Sequence, residues 1–399
     1  MTNWHIVTGE YPPQPGGVSD YTRSIARGLA ACGDHVSVWA PPAEPGPPDV
    51  RDVIDGGVAV HRLPDHFGLR GLRALDAHLD REPAPRRILV QYVPHAFGWK
   101  ALNVPFCLWL RSRRHDAIWV MFHEVAFPLD RRQALARNAM GLVTRRMASL
   151  VGRAAERMFV SIPAWEPVLR TLTHSSAPMT WLPVPSVIPV VDDAAGTAAV
   201  RAAAAPGDPD AVIVGHFGTY GALTRPLVED ALPLLMSSTR SRALLLGRGS
   251  DVAAAELLRA HPELAGRVHG RGSLSARDVS VHLAACDLML QPYPDGISSR
   301  RTSAMAGLAH GRPTVTTDGW LTEPVWREPA SGVVLCPVDN GRALADAAAA
   351  LVHDRVRRVR LGAEARAFYD ARFDIRHVIA SLRAPEVSGG IDIALGAAS

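Results

Sequence analysis

The chain has 399 residues, 47% of them hydrophobic, and a formal net charge of +4. This length favours two or three domains, and this apolar content excludes a disordered chain. Only one of the 43 basic residues is a lysine, Lys100, so a Schiff-base mechanism is nearly excluded and anions must be bound by arginine or by backbone N–H groups.

Strand-like apolar runs alternate with helical patterns along the whole chain, which predicts parallel sheets covered by helices. In the first half the predicted strands are 3–8, 35–40, 58–62, 87–92, 117–123 and 157–161, and the predicted helices are 18–32 and 132–156. In the second half the predicted strands are 211–216, 242–247, 286–291, 313–317 and 332–336, and the predicted helices are 225–238, 251–260, 275–285, 299–310, 341–353 and 355–370.

This order predicts an α/β protein of two doubly wound, Rossmann-like domains that face each other across a cleft. The predicted domains are 1–185 and 211–370, joined by a linker over 186–210 that is rich in Pro, Ala and Asp. A helix over 371–385 is expected to cross back, and 386–399 is expected to be a tail.

The sequence also predicts a cytoplasmic protein without a membrane-spanning helix. No run of about 20 apolar residues is present, and the first residues lack the pattern of a signal peptide. The four cysteines lie far apart and are expected to be buried thiols in a reducing compartment.

In the first half, polar residues follow three predicted strands. Gly16 and Gly17 allow a close backbone approach before the first helix, although such a pair is a plain turn about as often. The pattern is not GxGxxG, which disfavours a dinucleotide site. His95 follows strand 87–92, and His123 follows the next strand; a lone histidine is usually structural, but this position favours contact with a hydroxyl or a developing charge.

In the second half, glycine-rich loops follow successive strands. They are 215–221, 247–249, 270–273 and 295–301, and Arg225 opens the helix after the first of them. Each loop alone is a weak indication. Together they favour a diphosphate site at one edge of the sheet, where helix starts expose free N–H groups. Asp295 adds a carboxylate beside that anion site, which suits a ligand that is part phosphate and part sugar.

Arginines cluster between residues 111 and 157, interleaved with Leu, Met and Val. A solvated helix face is the favoured interpretation. Contact with an anionic membrane surface or an acidic acceptor is the competing one. Nucleic-acid binding has less support, since aromatic residues make up only 6% and no reader motif is present.

With these motifs the chain resembles the retaining family-four glycosyltransferases of the GT-B fold. The resemblance spans nearly the whole chain and is carried by the strand–PP–GGV–helix opening, the QY-x-P and FHE loops, the GHFG strand end and the PYPDG…SAMAGLAHGRPTVTTDG region. It implies a nucleotide-sugar donor on the C-terminal domain, an acceptor on the N-terminal domain and chemistry without a metal or cofactor. A UDP- or GDP-linked hexose is the expected donor.

The resemblance also implies roles for individual residues. His123 and Asp295 are expected to act on the transferred sugar. Donor diphosphate binding is expected from Gly17, Arg225, Gly218, Thr219, Ser298, Ser299 and Arg300. Nucleoside binding is expected from Gly249, Arg271, Gly272 and Ser303, and acceptor binding from Tyr21, Tyr92, His95 and Glu124. Lipid-linked, carbohydrate and small-molecule acceptors remain open, as does peripheral membrane contact at the inner face through the arginine-rich helix.

Three positions depart from the family pattern. Asp295 and Ser303 stand where the family usually has two glutamates eight positions apart, and Thr219 and Arg225 stand where it has an Arg and Lys pair. Two alternatives follow from these departures: a sugar-nucleotide epimerase of the same two-domain shape, and a non-catalytic subunit that binds nucleotide-sugars.

Overall fold

The computed structural model describes residues 2–43 and 51–384, which form two compact units. Of the described residues, the first unit takes those up to Pro183 and again residues 375–384; the second unit is Val184–Asp374. The predicted tail 386–399 lies outside the described residues. Within these residues, none of the helices combines the length and the apolar character that a membrane crossing requires.

The first unit is built on an eight-stranded sheet. Its strands are β1 (Asn3–Thr8), β2 (His35–Ala40), β3 (Arg51–Asp55), β4 (Val58–Arg62), β5 (Arg87–Tyr92), β6 (Ala117–Phe122), β7 (Arg157–Val160) and β8 (Met179–Trp181). Its helices are α1 (Gly17–Ala31), α2 (Leu69–Leu79), α3 (Val104–Ser112), α4 (Leu135–Ala154), α5 (Trp165–Thr173) and, after the second unit, α13 (Ile375–Arg383).

The strand order of the first sheet is β3-β4-β2-β1-β5-β6-β7-β8, with β3 antiparallel to β4 and the other pairs parallel. Strands β1, β5 and β6 are buried along nearly their whole length, as expected when helices cover both faces of a parallel sheet. The chain order reverses between β1 and β5, the topological switch point of this sheet.

Helix α13 returns to the first unit and packs on α1. A Cβ on Gly28 would meet the Ile379 side chain within 3 Å, so the glycine lets the two helices approach closely. At the other end Arg383 donates to the buried carboxylate of Asp34 at 3.0 Å. The amphipathic pattern of the last helix therefore serves this contact.

The second unit is built on a six-stranded sheet. Its strands are β9 (Ile213–Phe217), β10 (Arg242–Leu246), β11 (Val268–Gly270), β12 (Leu288–Gln291), β13 (Thr314–Asp318) and β14 (Val333–Pro337). Its helices are α6 (Ala194–Ala204), α7 (Arg225–Ser238), α8 (Ser250–Ala260), α9 (Ala276–Ala285), α10 (Thr302–Ala309), α11 (Gly341–His353) and α12 (Arg355–Arg372).

The second sheet is parallel throughout, in the order β11-β10-β9-β12-β13-β14, and both of its faces are covered. Alternate residues of β9 and β10 belong to two different cores: Val214 and Leu245 to one, Ile213 and Leu244 to the other. The chain order reverses between β9 and β12. Each unit is thus a doubly wound Rossmann-like domain, as the sequence predicts.

Residues 186–210, predicted as a linker, carry helix α6 and belong to the second unit. Asp193 caps the helix by accepting from the N–H of Gly196 at 2.8 Å. Arg201 ties it to the unit by donating to the Ala285 carbonyl at 2.7 Å and to Asp287 at 3.0 Å. The ends of this segment are rich in Pro and Asp, which favoured a linker, but the alanine-rich stretch between them forms a short helix.

Candidate active site

A cavity of about 340 Å³ lies at the switch point of the second sheet. It is lined by residues 216–219 at the end of β9, Thr224, Gly247 and Arg248 after β10, Tyr293 after β12, and residues 300–303 at the start of α10. Ligands of open parallel sheets bind at this position. Because the lining holds three arginines and no carboxylate, it favours an anion.

Gln291 at the end of β12 explains why the sheet opens here. The ladder between β12 and β9 pairs only Leu288 with Val214 and Met289 with Gly215. Beyond it, Oε1 of the buried Gln291 accepts from the N–H of Phe217 at 2.8 Å, and Nε2 donates to the Phe217 carbonyl at 2.9 Å. The side chain thus satisfies the backbone of a strand that has moved away from its neighbour.

Gly247 brings the loops after β9 and β10 together. Its φ of 102° lies in the left-handed region, and a Cβ there would clash with the carbonyl of Gly218. The N–H of Gly218 donates in turn to the Leu246 carbonyl at 3.1 Å. A residue with a side chain at position 247 would force apart the backbone that lines the cavity.

Asp295 holds the two arginines that precede α10. Arg300 Nη2 donates to Oδ2 at 2.6 Å, and Arg301 Nη2 donates to Oδ1. The guanidinium of Arg301 also lies over the Tyr293 ring, 4.7 Å from its centroid. Since one carboxylate serves two guanidinium groups, the cluster keeps a net positive charge at a helix start. The structure therefore brings Asp295, Arg300 and Arg301 together at the start of α10.

The three serines of this region have different surroundings. Ser303 lines the cavity, and its Oγ lies 2.8 Å from the Tyr293 hydroxyl. Ser298 and Ser299 are fully buried and do not line it. The N–H and Oγ of Ser299 both donate to Oε1 of Glu323, at 2.9 and 2.5 Å, and burial raises the pKa of that carboxyl. Ser299, predicted to bind the diphosphate, therefore has its N–H and hydroxyl bonded to Glu323 and fixes the loop before α10.

Arg225, predicted to neutralise the diphosphate, is directed elsewhere. Its Nε donates to Glu229 at 2.6 Å, and its Nη2 pairs with Glu256 on α8. The neighbouring Thr224 lines the cavity, whereas Arg225 does not. Two carboxylates already balance this guanidinium, so the charge that meets a ligand in the cavity comes from Arg248, Arg300 and Arg301.

The residues predicted to bind the nucleoside lie beside the cavity, and of these only Ser303 lines it. Gly272 donates to Ser250 Oγ at 2.8 Å and accepts from the N–H of Gly247 at 3.1 Å. Gly249 precedes α8 with a φ of 85°. The N–H of Arg271 donates to Leu245 at 3.0 Å and extends the β10–β11 ladder. These residues shape the backbone next to Gly247.

His123 is buried at the end of β6 in the first unit. Its Nε2 lies 2.8 Å from Oε1 of Gln91, and the Tyr21 ring meets it edge-on at 5.0 Å. Burial lowers the pKa of His123 to about 3, so the ring is neutral near pH 7. A carboxamide oxygen only accepts, so Nε2 donates and Nδ1 is an acceptor. His123 is therefore not a charged donor to a developing negative charge. Its Nε2–H is bonded to Gln91, and its Nδ1 can accept a hydrogen bond.

The other residues predicted to bind the acceptor are spread over different environments. Tyr92 is fully buried, and its ring packs 5.1 Å from that of Phe122 in the core. Tyr21 is also fully buried. His95 is exposed and stacks on Phe127 at 6.4 Å, and Glu124 is half-buried. Of this set, His95 and Glu124 present surface to solvent, and Tyr92 is a core residue.

The start of α1 already has a carboxylate. Oε1 of Glu10 accepts from the N–H of Ser19 at 3.0 Å, and a Cβ on Gly16 would clash with this carboxyl group. Gly17 is different, because a Cβ there would meet nothing within 4 Å. The Glu10 carboxylate thus lies directly against Gly16, whereas the backbone of Gly17 faces open space.

Two groups can be distinguished among the arginines clustered between residues 111 and 157. Arg113, Arg145 and Arg153 are structural, since each donates to a carboxylate or a backbone carbonyl of the first unit. Arg131, Arg132, Arg137 and Arg146 are exposed around α4. Leu135 and Leu142, seven residues apart on that helix, are 87% and 61% exposed. A basic surface with exposed leucines therefore covers the start of α4.

Eight of the residues that line the cavity were not assigned a role from the sequence, although five of them lie in the predicted glycine-rich loops: His216, Phe217, Thr224, Gly247, Arg248, Tyr293, Arg301 and Thr302. His216 Nδ1 lies 2.8 Å from the Tyr220 hydroxyl, and burial lowers its pKa to about 3. All eight lie within three residues of a strand end or at the start of a helix. That position, rather than residue type, was the feature that pointed to them.

Two family comparisons agree with this geometry. Residues 16–172 match the glycosyl transferase 4-like domain, and residues 208–354 match the glycosyl transferases group 1 domain. Together the two matches span well over half of the chain. The chain is a GT-B glycosyltransferase of the family-four type. No curated protein matches this glycosyltransferase significantly in sequence.

Solved structures share the fold of the glycosyltransferase over nearly its whole length. Sucrose-phosphate synthase from Thermosynechococcus elongatus has a TM-score of 0.71 at 19% identity and covers 96% of this chain and 97% of its own. HepE from Anabaena, solved with UDP-glucose, has a TM-score of 0.68 at 16% identity and covers 96% and 98%. WaaG, a glycosyltransferase of lipopolysaccharide biosynthesis, has a TM-score of 0.66 at 14% identity and covers 96% and 100%.

In this glycosyltransferase, the two residues that replace the family's glutamates both belong to the cavity region. Asp295 acts on it through two arginines, and Ser303 lines it beside Tyr293. Ser303 thus replaces the second carboxylate of the family pattern by a hydroxyl group. This hydroxyl bonds to the hydroxyl of Tyr293, which in turn accepts from Gln291 Nε2 at 3.2 Å. The site is less negative than the family pattern implies.

Proposed function

We propose that the enzyme transfers a hexosyl unit from a UDP- or GDP-linked sugar to an acceptor hydroxyl, with retention at the anomeric carbon. The observation that carries the proposal is the cavity at the β9–β12 switch point, where Arg248, Arg300 and Arg301 meet glycine-rich strand ends and the start of α10. Arginine forks and free N–H groups of a helix start are the partners that a diphosphate takes in proteins.

The departing diphosphate is proposed to bind to Arg300 and Arg301, with the backbone of Gly218 and Thr219 on the opposite strand end. As the bond to the sugar breaks, negative charge builds on the leaving oxygen. Guanidinium groups already held in place by Asp295 stabilise that charge without reorganising. No metal or cofactor and no covalent nucleophile takes part in this proposal.

Asp295 is proposed to have two roles. It orients both arginines, and each carboxylate oxygen keeps a further lone pair that can accept from a sugar hydroxyl. Ser303 and Tyr293 are proposed to contact the nucleoside, because they continue the cavity beyond the arginines. Gly249, Arg271 and Gly272 would support that end through Gly247.

The first unit is proposed to bind the acceptor. His123 is neutral, so its part is that of a hydrogen-bonding contact to the transferred sugar rather than a charged one. His95 and Glu124 are the more accessible candidates for the acceptor itself, whereas the open backbone of Gly17 is proposed to approach the donor diphosphate. Tyr21 supports His123 through ring packing.

The donor is tested by thermal shift with UDP, GDP, ADP and dTDP sugars, because a ligand that binds only the folded state raises the melting temperature. The sugar that stabilises the protein is then incubated with acceptors, and the product's anomeric configuration is read by NMR. Transfer with retention supports the proposal. Inversion would remove the retaining assignment, and release of UDP with an epimerised sugar and no acceptor would replace it with epimerisation.

We also propose a cytoplasmic enzyme that touches an anionic membrane surface through α4. Exposed Leu135 and Leu142 among exposed arginines suit the headgroup region of a bilayer. Flotation with phosphatidylglycerol vesicles should carry the protein upward, and Leu135→Ser with Leu142→Ser should reduce this. Exposed Leu223→Ser in the second unit is the matched control. Equal flotation of all three proteins would contradict the proposal.

A further inference from the structure

A second cavity, of about 440 Å³, lies in the second unit and shares no lining residue with the candidate active site. The turn at Gly311 and one side of α12 line it, and four arginines face it: Arg312, Arg355, Arg358 and Arg366. One carboxylate, that of Asp287, is also in the lining. The cavity is thus rich in positive charge.

Two glycines bring these arginines together. Gly311 has a φ of 64°, and a Cβ on Gly362 would clash with the Gly311 carbonyl. Helix α12 therefore packs directly on the backbone of the turn. Arg312, which follows the turn, is held close to the arginines of the helix by this contact.

The positive charge of the cavity is only partly balanced. Arg366 pairs with Asp370 at 2.8 Å, and Asp287 accepts from Arg201 at 3.0 Å. Arg358 donates to two backbone carbonyls at the end of α11, at 2.7 and 2.8 Å. Within residues 2–43 and 51–384, no carboxylate forms an ion pair with Arg312, Arg355 or Arg358.

Arg312 carries an unused donor. Its Nη1 donates to the Cys286 carbonyl at 2.8 Å, while its Nε is buried and has no hydrogen-bond partner among the described residues. Burial lowers the pKa of Arg312, which shows that its charge is held in a poorly solvated place. Arg312 is half-buried, and the Asp287 carboxylate that partly offsets its charge is shared with Arg201, so a bound anion would supply the missing counter-charge.

We propose that this cavity binds a phosphate group, carried by a small soluble molecule or by a lipid headgroup, at a site separate from the candidate active site. A phosphate ester offers a compact double negative charge and several acceptor oxygens, which match guanidinium forks from two directions. Arg355 is exposed and reaches a ligand from solvent, and Arg312 meets it from the turn.

The test is calorimetric titration of the full chain with pyrophosphate, in a background that carries Arg300→Gln and Arg301→Gln. That background removes two of the three arginines that line the first cavity and so weakens pyrophosphate binding there. The comparison of substitutions on α12 in this background therefore does not depend on the proposed function. We expect one pyrophosphate per chain. Arg355→Glu should weaken binding roughly tenfold or more, by loss of a charge-assisted contact. Arg357→Glu, exposed on the same turn but outside the lining, should leave it within about twofold.

No binding in the background protein would overturn the proposal, and so would equal weakening by the two substitutions, which would indicate diffuse attraction to α12. Arg355→Gln repeats the test if the glutamate variant unfolds. Flotation with phosphatidic acid and phosphatidylcholine vesicles separates the two sources. Weaker flotation of Arg355→Glu than of Arg357→Glu on phosphatidic acid assigns a lipid headgroup, and equal flotation assigns a soluble phosphate.

Discussion

The switch points of the two sheets have the same topology and different contents. In the first sheet the loop after β5 packs against the end of β1, where a Cβ on Gly9 would clash with the Ala96 carbonyl. In the second sheet the corresponding strands, β9 and β12, separate and leave a cavity. The topology alone thus does not create a binding site. Whether a cavity forms depends on which residues pack at the switch point.

In each sheet, one of the two strands between which the chain order reverses carries a glutamine. Gln91 on β5 binds His123 at 2.8 Å, whereas Gln291 on β12 binds the backbone of β9 and the Tyr293 hydroxyl. The first arrangement buries a neutral ring, and the second opens the strands toward three arginines. The first unit therefore offers neutral, packed contacts, and the second unit offers charged ones. This difference supports the proposed acceptor site in the first unit and the proposed diphosphate site in the second.

The largest effect is expected from removing positive charge from the cavity of the second unit. Arg300→Gln with Arg301→Gln should lower kcat about 10²–10³-fold, by analogy with the loss of an oxyanion donor. Arg225→Gln is the matched control, because its charge is balanced by Glu229 and Glu256, and it should change kcat less than about threefold. Steady-state kinetics on the donor identified by thermal shift decide it. A large loss in the Arg225 variant alone would return the diphosphate to that residue.

The next effect concerns the two glutamines. Gln291→Leu should lower the free energy of unfolding by about 2 kcal/mol, because it leaves the half-buried N–H and carbonyl of Phe217 without their side-chain partner. Gln91→Leu loses one described bond, to His123, and should cost about 1 kcal/mol. Urea unfolding followed by circular dichroism measures both. Equal costs would mean that the bridge to Phe217 is not what holds β9 and β12.

Gly247 and Gly9 test the close backbone approaches at the two switch points. Gly247→Ala combines a φ of 102° with a clash on the Gly218 carbonyl and should cost about 2–3 kcal/mol. Gly9→Ala meets only a clash, on Ala96, and should cost about 1–3 kcal/mol. Gly207→Ala, with a φ of 73° and open space, isolates the backbone term at about 1 kcal/mol. A Gly247 variant no worse than the Gly207 variant would exclude close contact at the cavity.

Much of the fold follows from the sequence, because apolar runs and turn residues are local. The helices Arg225–Ser238 and Gly341–His353 begin and end where the pattern predicts. Strands β3, β8 and β11 were not predicted, since they are short and each lies at the edge of its sheet. Helix α6 was hidden by its Pro- and Asp-rich flanks.

The site was predicted in part, and the limit has a physical reason. Sequence places Gly218, Thr219, Arg300 and Ser303 at strand and helix ends, and the cavity contains all four. The direction of a long side chain depends on partners that are distant in sequence. Arg225 turns to Glu256, 31 positions on, and Ser299 turns to Glu323. Neither pairing can be read from the local motif.

The smallest effect concerns a feature that the two units share, which is a buried histidine at the end of a strand. Burial lowers the pKa of His123 and of His216 to about 3, whereas the unfolded chain binds protons near pH 6.5. Between these values the unfolded chain binds more protons, so stability falls as the pH falls, by about 1.4 kcal/mol per pH unit for each histidine. His123→Gln and His216→Gln should each lessen the loss of unfolding free energy between pH 7 and pH 5.5 by about 1 kcal/mol. Urea unfolding at the two pH values measures it, and His353→Gln, on the exposed end of α11, is the control. An unchanged pH dependence in either variant would mean that its histidine is protonated in the folded protein and that burial there is incomplete.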